Sequence, residues 1–119
     1  VLINSPSNPA GSVLPSDWLE ELASLPVPLI SDEIYHGLTY EGEERSALEF
    51  TRDAFVLGGF SKAYAMTGWR LGYLIAPLSS VRTLQSLHQN FLICANSFVQ
   101  CAGVTALREW PRGRAFSAQ

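Results

Sequence analysis

Apolar positions along this chain fall into short uninterrupted runs, set apart by polar stretches rich in glycine and proline, before two longer helical patterns close it. Val1 to Asn4 reads as the end of a buried strand. The loop that follows, Ser5-Pro6-Ser7-Asn8-Pro9-Ala10-Gly11-Ser12, excludes regular structure because two prolines and a glycine fix its shape. A helix is predicted from about Ser16 to Ser24, with Ser16 as N-cap, Asp17 in the first turn and Trp18, Leu19, Leu22 and Ala23 as its apolar stripe. Val27 to Ser31 forms a second short strand, ending in Asp32-Glu33. Tyr35 to Arg52 is polar and contains glycine, which predicts a short strand and an irregular excursion. Ala54 to Gly58 is a third strand, and Trp69 to Ala76 a fourth, closed by Pro77. From Ser79 the pattern turns helical, with Val81, Leu84, Leu87, Phe91 and Leu92 on one side, and a last helix is predicted over about Ser97 to Trp110. The stretch 114–119 carries no capping signal.

Strands alternating with helices predict an α/β fold around a mainly parallel sheet. Ligands of such sheets collect at the carboxyl ends of the strands. Functional residues should therefore stand just past each apolar run. Asn8 follows the first strand, Asp32 the second and Lys62 the third, all at one edge of the predicted sheet.

Composition narrows the class. The chain has 119 residues, 47% hydrophobic and 16% charged, enough for one modest domain with a core. A net charge of -3 and a pI near 5.2 give no electrostatic reason to expect nucleic acid or an anionic membrane surface as partner. No apolar run approaches the roughly 20 residues that span a bilayer. The opening, Val1-Leu2-Ile3-Asn4, has neither a start Met nor a basic leader, which leads us to expect an internal fragment of a longer protein. Cys94 and Cys101 lie seven apart within a helical pattern, a spacing of about 10 Å along a helix axis, too far for a disulfide. Two buried free thiols and a reducing, cytoplasmic setting are the expectation.

The chemistry of the edge residues is specific. A lysine just past a buried strand, flanked by Phe60, Ala63 and Tyr64, is expected to be partly desolvated, which favours the nucleophilic neutral amine. The alternatives for Lys62 are a surface lysine or a structural ion pair with Asp32. Arg70 lies between Gly68 and Gly72, and a guanidinium held on a strand there suits a bidentate grip on phosphate or carboxylate, or a plain salt bridge at a strand end. Asp32 and Tyr35, three residues apart, can enter one cleft, where an aspartate holds a ring nitrogen protonated and a phenol bonds a ring oxygen. Strand alternation sends the competing carboxyl of Glu33 to the opposite face. A turn cap and a packed aromatic are the bland reading of that pair, and an ordinary Asn-Pro turn is the bland reading of Asn8. Together an amine, a guanidinium, an Asp–Tyr pair and a loop amide match the aldehyde, phosphate, pyridine nitrogen and phenolic oxygen of pyridoxal 5'-phosphate.

Three stretches carry a family resemblance: Asn4-Ser5-Pro6-Ser7-Asn8-Pro9-Ala10-Gly11, Ser31-Asp32-Glu33-Ile34-Tyr35, and Gly59-Phe60-Ser61-Lys62 through Gly72-Tyr73. In order and spacing they resemble the class I/II aminotransferases, fold-type I pyridoxal phosphate enzymes. The resemblance implies a three-layer α/β sandwich, of which residues 1–119 are part of the large cofactor-binding domain, with no second domain present. It implies a catalytic Lys62 that forms the Schiff base with the cofactor and shuttles a proton. Asp32 would pair with the pyridinium nitrogen, Tyr35 and Asn8 would bond the phenolic oxygen, and Arg70 would clamp the phosphate. Catalysis would thus rest on Lys62, Asp32 and Tyr35. Amino acid and 2-oxo acid substrates and a homodimer are implied as well, and no metal.

This sequence departs from the family at two places. Gly59 stands where a phosphate-binding hydroxyl is frequent, leaving Ser61 as the nearest hydroxyl, and Ala10 replaces the usual threonine of the Asn-Pro loop. The same motifs serve fold-type I carbon–sulfur and β-lyases, and cofactor-binding sensor domains of transcription regulators, so both readings stay open on sequence alone. The family's substrate-carboxylate arginine and ring-stacking aromatic have no counterpart in this stretch.

Overall fold

The computed structural model describes residues 1–113, with side chains through residue 109. The 114–119 stretch, read above as uncapped, lies outside the described residues. Four strands form one sheet in the order β1 (Leu2–Asn4), β2 (Leu29–Asp32), β3 (Ala54–Gly59) and β4 (Gly72–Ile75). The β1–β2 and β2–β3 pairs are parallel and β3–β4 is antiparallel, so the sheet is mainly parallel, as expected. Helix α1 (Ser16–Ala23) crosses between β1 and β2, and helices α2 (Leu78–Leu92) and α3 (Ser97–Gly113) follow β4.

The first core lies on the α1 side of the sheet. Leu19, Leu29, Ala47, Ala54 and Val56 are buried together, with Ile3, Leu14, Ala23, Leu48 and Phe50 packed around them. Alternation along β3 places Ala54 and Val56 on that face and turns Leu57 to the other, where it stays 38% exposed beside its register partner Leu74. A second, smaller buried set, Phe60, Met66 and Val99, forms under the turn after β3, where Gly103 lets α3 approach Phe60 and Leu71. Helix α2 buries no side chain; Val81 and Leu84 line an open groove together with Leu74 and Ala76.

Several boundaries differ from expectation for local reasons. Strand β2 begins at Leu29 rather than Val27, because Pro26 and Pro28 bracket Val27 and Pro28 has no N–H for a ladder. Ser16 is the first helical residue, not the N-cap; Pro15 holds that position and its carbonyl accepts from the Leu19 N–H at 3.1 Å. Trp18 is exposed, while Leu19 alone of the α1 stripe is fully buried. No strand forms between Tyr35 and Arg52. The Gly37 N–H and Thr39 hydroxyl donate to Glu44, both at 2.6 Å, and Gly37 and Gly42 take positive φ, so side chains close this excursion instead of a neighbouring strand. It ends in a 3-10 turn at Ala47–Glu49, where Ser46 and Glu49 form a capping box.

The expected strand from Trp69 starts only at Gly72. Thr67–Trp69 is a 3-10 turn, and Arg70 adopts the left-handed conformation (φ 55, ψ 44), which breaks the extended run. The cysteines also differ. Cys94 lies between α2 and α3, Cys101 lies in α3, and both are free and exposed rather than buried on one helix. No described helix is long and apolar enough to cross a membrane.

Candidate functional site

The carboxyl ends of β1, β2 and β3 meet at one edge of the sheet, and short hydrogen bonds stitch that edge together. The Asn4 side chain donates its amide N–H to the Asp32 carbonyl at 3.1 Å and accepts the Asn8 N–H on Oδ1 at 2.8 Å. The Ser5 N–H reaches the same Asp32 carbonyl at 3.2 Å. Asn8 is thereby presented on a loop that is held to β2 from β1, its own side chain exposed. Asn4 is the residue that sequence reasoning missed. A polar residue closing an apolar strand was its only signal, and its bonding partners could not be read from spacing.

Asp32 is the last residue of β2 and half-buried, and its Oδ1 accepts the Ile34 N–H at 3.2 Å. That bond starts the turn that brings Tyr35 to the same edge. Lys62 Nζ lies 5.7 Å from the centroid of the Tyr35 ring, within reach of a cation–π contact. Glu33 departs to the opposite side, as alternation requires, where its carboxyl bonds Ser31, Ser46 and Ala47.

The surroundings of Lys62 correct one expectation. Its apolar neighbours Phe60 and Met66 turn inward, 6% and 8% exposed, while Lys62 itself stands exposed. The expected shielding of Lys62 by apolar neighbours is therefore not seen, and no salt bridge joins Lys62 to Asp32 among the described residues. The turn is compact: the Ala65 N–H bonds the Lys62 carbonyl at 3.0 Å, and the Met66 N–H bonds the Phe60 carbonyl at 3.2 Å. Two residues on, burial raises the Tyr64 phenol above its ordinary value, and Tyr73 adds to the effect.

Arg70 closes the same turn. It is exposed, its Nη1 donates to the Thr67 carbonyl at 3.0 Å, it forms no salt bridge among the described residues, and it sits on a turn rather than a strand. An open cleft of about 600 Å³ runs beside it, lined by Ala65, Gly68, Trp69, Asn96, Phe98 and Val99. Phe98, in the first turn of α3, thus lines this cleft. Ser61 is half-buried, and among the described residues no side-chain hydrogen bond ties it or Arg70 to Asn8, Asp32 or Tyr35. Gly59 has little room for a side chain: an added Cβ would meet Ile34 Cδ1 at 2.9 Å and the Leu71 carbonyl oxygen at 3.2 Å.

A primary amine 5.7 Å from a tyrosine ring, with a carboxylate and a loop amide at the same sheet edge, is a set of groups that could handle a carbonyl compound. The donor set fits pyridoxal phosphate: an amine for the aldehyde, a carboxylate for the ring nitrogen, a phenol and an amide for the ring oxygen.

Comparison with known proteins is consistent with that fit. The family model "Aminotransferase class I and II" matches residues 1–116. Valine–pyruvate aminotransferase of Mycobacterium tuberculosis is 46% identical over 112 residues, covering 89% of this chain and 29% of the relative. Aspartate/prephenate aminotransferase of Thermus thermophilus is 40% identical, covering 98% of this chain and 31% of the relative. The crystal structure of Thermus thermophilus aspartate aminotransferase with maleate superimposes with a TM-score of 0.92 at 37% identity, covering 98% of this chain and 32% of that one. The chain belongs to the class I and II aminotransferase family. Its α/β fold is that of the fold-type I aminotransferases, and it spans about a third of the length of the relatives it matches.

Proposed function

We propose that the full-length protein is a pyridoxal phosphate-dependent aminotransferase that moves an amino group between an α-amino acid and a 2-oxo acid. Residues 1–119 form the central part of its cofactor-binding domain, which alone is inactive. The observation that carries the reading is Lys62 Nζ set 5.7 Å from the Tyr35 ring at the strand edge where Asp32 and the Asn8 loop are held. Names such as valine–pyruvate and aspartate/prephenate aminotransferase among relatives support the substrate class.

When bound, pyridoxal phosphate supplies an aldehyde and an electron-withdrawing pyridine ring. The chain's own residues supply the rest. Lys62 Nζ would be the amine that holds the cofactor through its aldehyde, and as a free amine it could accept and return a proton as general base and acid. The Asp32 carboxylate would pair with a protonated ring nitrogen, held in place by its position at the end of β2. The Tyr35 hydroxyl and Asn8 amide would orient the ring through its oxygen, Arg70 would hold the phosphate, and Ser61 would add a hydroxyl to it. Asp32 and Tyr35 act with Lys62 as the catalytic set.

A homodimer, implied by the family resemblance, and a cytoplasmic setting, supported by the free thiols of Cys94 and Cys101, complete the proposal. Assay of the full-length protein for oxo-acid-dependent amino transfer decides between this reading and the lyase reading. Transfer to an added 2-oxo acid is the expected result, and release of pyruvate and ammonia without an oxo acid overturns it.

A further inference from the structure

Glu33 has no part in the chemistry just described, yet it is buried at 8% exposure and is one of the most densely bonded side chains of the described residues. Its Oε1 accepts from the Ser31 hydroxyl at 3.0 Å, the Ser46 hydroxyl at 3.1 Å and the Ala47 N–H at 2.9 Å. The other oxygen lies 3.4 Å from His36 Nδ1. The Glu33 N–H donates to the Leu57 carbonyl at 2.9 Å, which fixes the end of β2 against β3. A carboxyl withdrawn from water is costly unless its oxygens are satisfied, and here a chain segment thirteen residues away has been folded back to satisfy one.

The consequence falls on Tyr35. The His36 N–H bonds the Glu33 carbonyl at 3.0 Å, so Tyr35 rides on a tight turn closed between Glu33 and His36. The polar excursion that begins there returns at Ser46–Ala47 to the same carboxyl, and Glu44 staples its middle through Gly37 and Thr39. We propose that Glu33 is a positioning residue, which by clamping His36 and the Ser46–Ala47 turn to the end of β2 holds the Tyr35 ring at its station beside Lys62. The inference rests on the aminotransferase reading for its functional meaning, while the clamp itself is a property of the protein without cofactor.

The test uses the full-length protein in two forms. In the apo-protein, Glu33→Ala accelerates amide hydrogen exchange across residues 34–38 about tenfold or more, as expected when a satisfied buried acceptor is removed. In titrations with pyridoxal phosphate, Glu33→Ala weakens binding about tenfold, Glu33→Gln recovers most of the loss, and Glu33→Ala adds nothing further in a Tyr35→Phe background. The non-additivity is the decisive readout, because a residue that merely stabilised the fold would leave the two effects multiplicative. Should Glu33→Ala fail to fold, Ser46→Ala, which removes one donor, shows the same exchange pattern at about threefold. Unchanged exchange in these variants, or multiplicative losses in the double variant, overturns the proposal. Failure of the unaltered protein to bind pyridoxal phosphate instead sinks the aminotransferase reading, and the exchange experiment then decides the clamp alone.

Discussion

Serine at position 59 would restore the hydroxyl that the family frequently carries three residues before the lysine, and the structure predicts that it does harm. A Cβ on Gly59 lies 2.9 Å from Ile34 Cδ1, 3.2 Å from the Leu71 carbonyl oxygen and 3.4 Å from Gly72 Cα. The Ile34 methyl is the tip of a flexible side chain and can rotate away. The Leu71 oxygen cannot move freely, since it accepts the Phe60 N–H at 3.1 Å and Gly72 is the cross-strand partner of Gly59. Overpacking at a well-fitted position costs about 1–3 kcal/mol, and with one of the contacts yielding, Gly59→Ser belongs at about 1–2 kcal/mol. Gly59→Ala carries the same Cβ without the hydroxyl and should lose the same amount. Urea unfolding of the full-length apo-protein measures both: the midpoints fall together with an unchanged m-value. Titration with pyridoxal phosphate then shows no tighter binding for the serine variant than for alanine. Either variant as stable as the unaltered protein refutes the steric argument, and tighter binding by serine alone shows that the hydroxyl reaches the phosphate.

Two further predictions address the turn that follows. Arg70 sits at a left-handed φ of 55, so Arg70→Gly relieves the backbone while deleting the guanidinium. Stability of the full-length apo-protein should change by less than about 1 kcal/mol. Affinity for pyridoxal phosphate should fall about tenfold to a hundredfold, the loss expected for charge-assisted hydrogen bonds; an unchanged affinity removes Arg70 from the site. Burial, with a smaller contribution from Tyr73, raises the Tyr64 phenol above its ordinary 10.0. The folded state therefore keeps that proton longer than the unfolded chain does. Its stabilising contribution is full below about pH 10 and is lost as pH rises through the raised value. Tyr64→Phe should flatten the alkaline fall in thermal midpoint, and an unchanged alkaline limb contradicts the assignment.

Sequence patterning located the strands because each is a run of apolar residues bounded by turn-forming ones, and it picked out the candidate site because chemistry-bearing residues follow those runs. Asn8, Asp32 and Lys62 were legible for that reason, and Tyr35 followed from Asp32 by the length of one turn. What stayed hidden depends on contacts distant in sequence or on backbone conformation. The bonds from Asn4 to Asp32 and from Ser46 to Glu33 span 28 and 13 residues, across loops whose path no periodicity records. Arg70 was read as a strand residue because the rest of Trp69 to Ala76 carries no polar residue apart from the Tyr73 phenol, but that pattern does not reveal a left-handed residue that delays the strand. The exposure of Lys62, Cys94 and Cys101 was missed in the same way. An apolar neighbour in sequence shields a side chain only when both turn to one side, and Phe60 and Met66 turn away.

Everything proposed for the site depends on Lys62 being the amine that meets the cofactor. Reduction of the full-length holoenzyme with borohydride, followed by peptide mapping, tests this directly. The account predicts one phosphopyridoxyl group, carried by Lys62 in the peptide Gly59-Phe60-Ser61-Lys62 and lost in Lys62→Ala. A label on any other lysine, or its persistence in Lys62→Ala, contradicts the account.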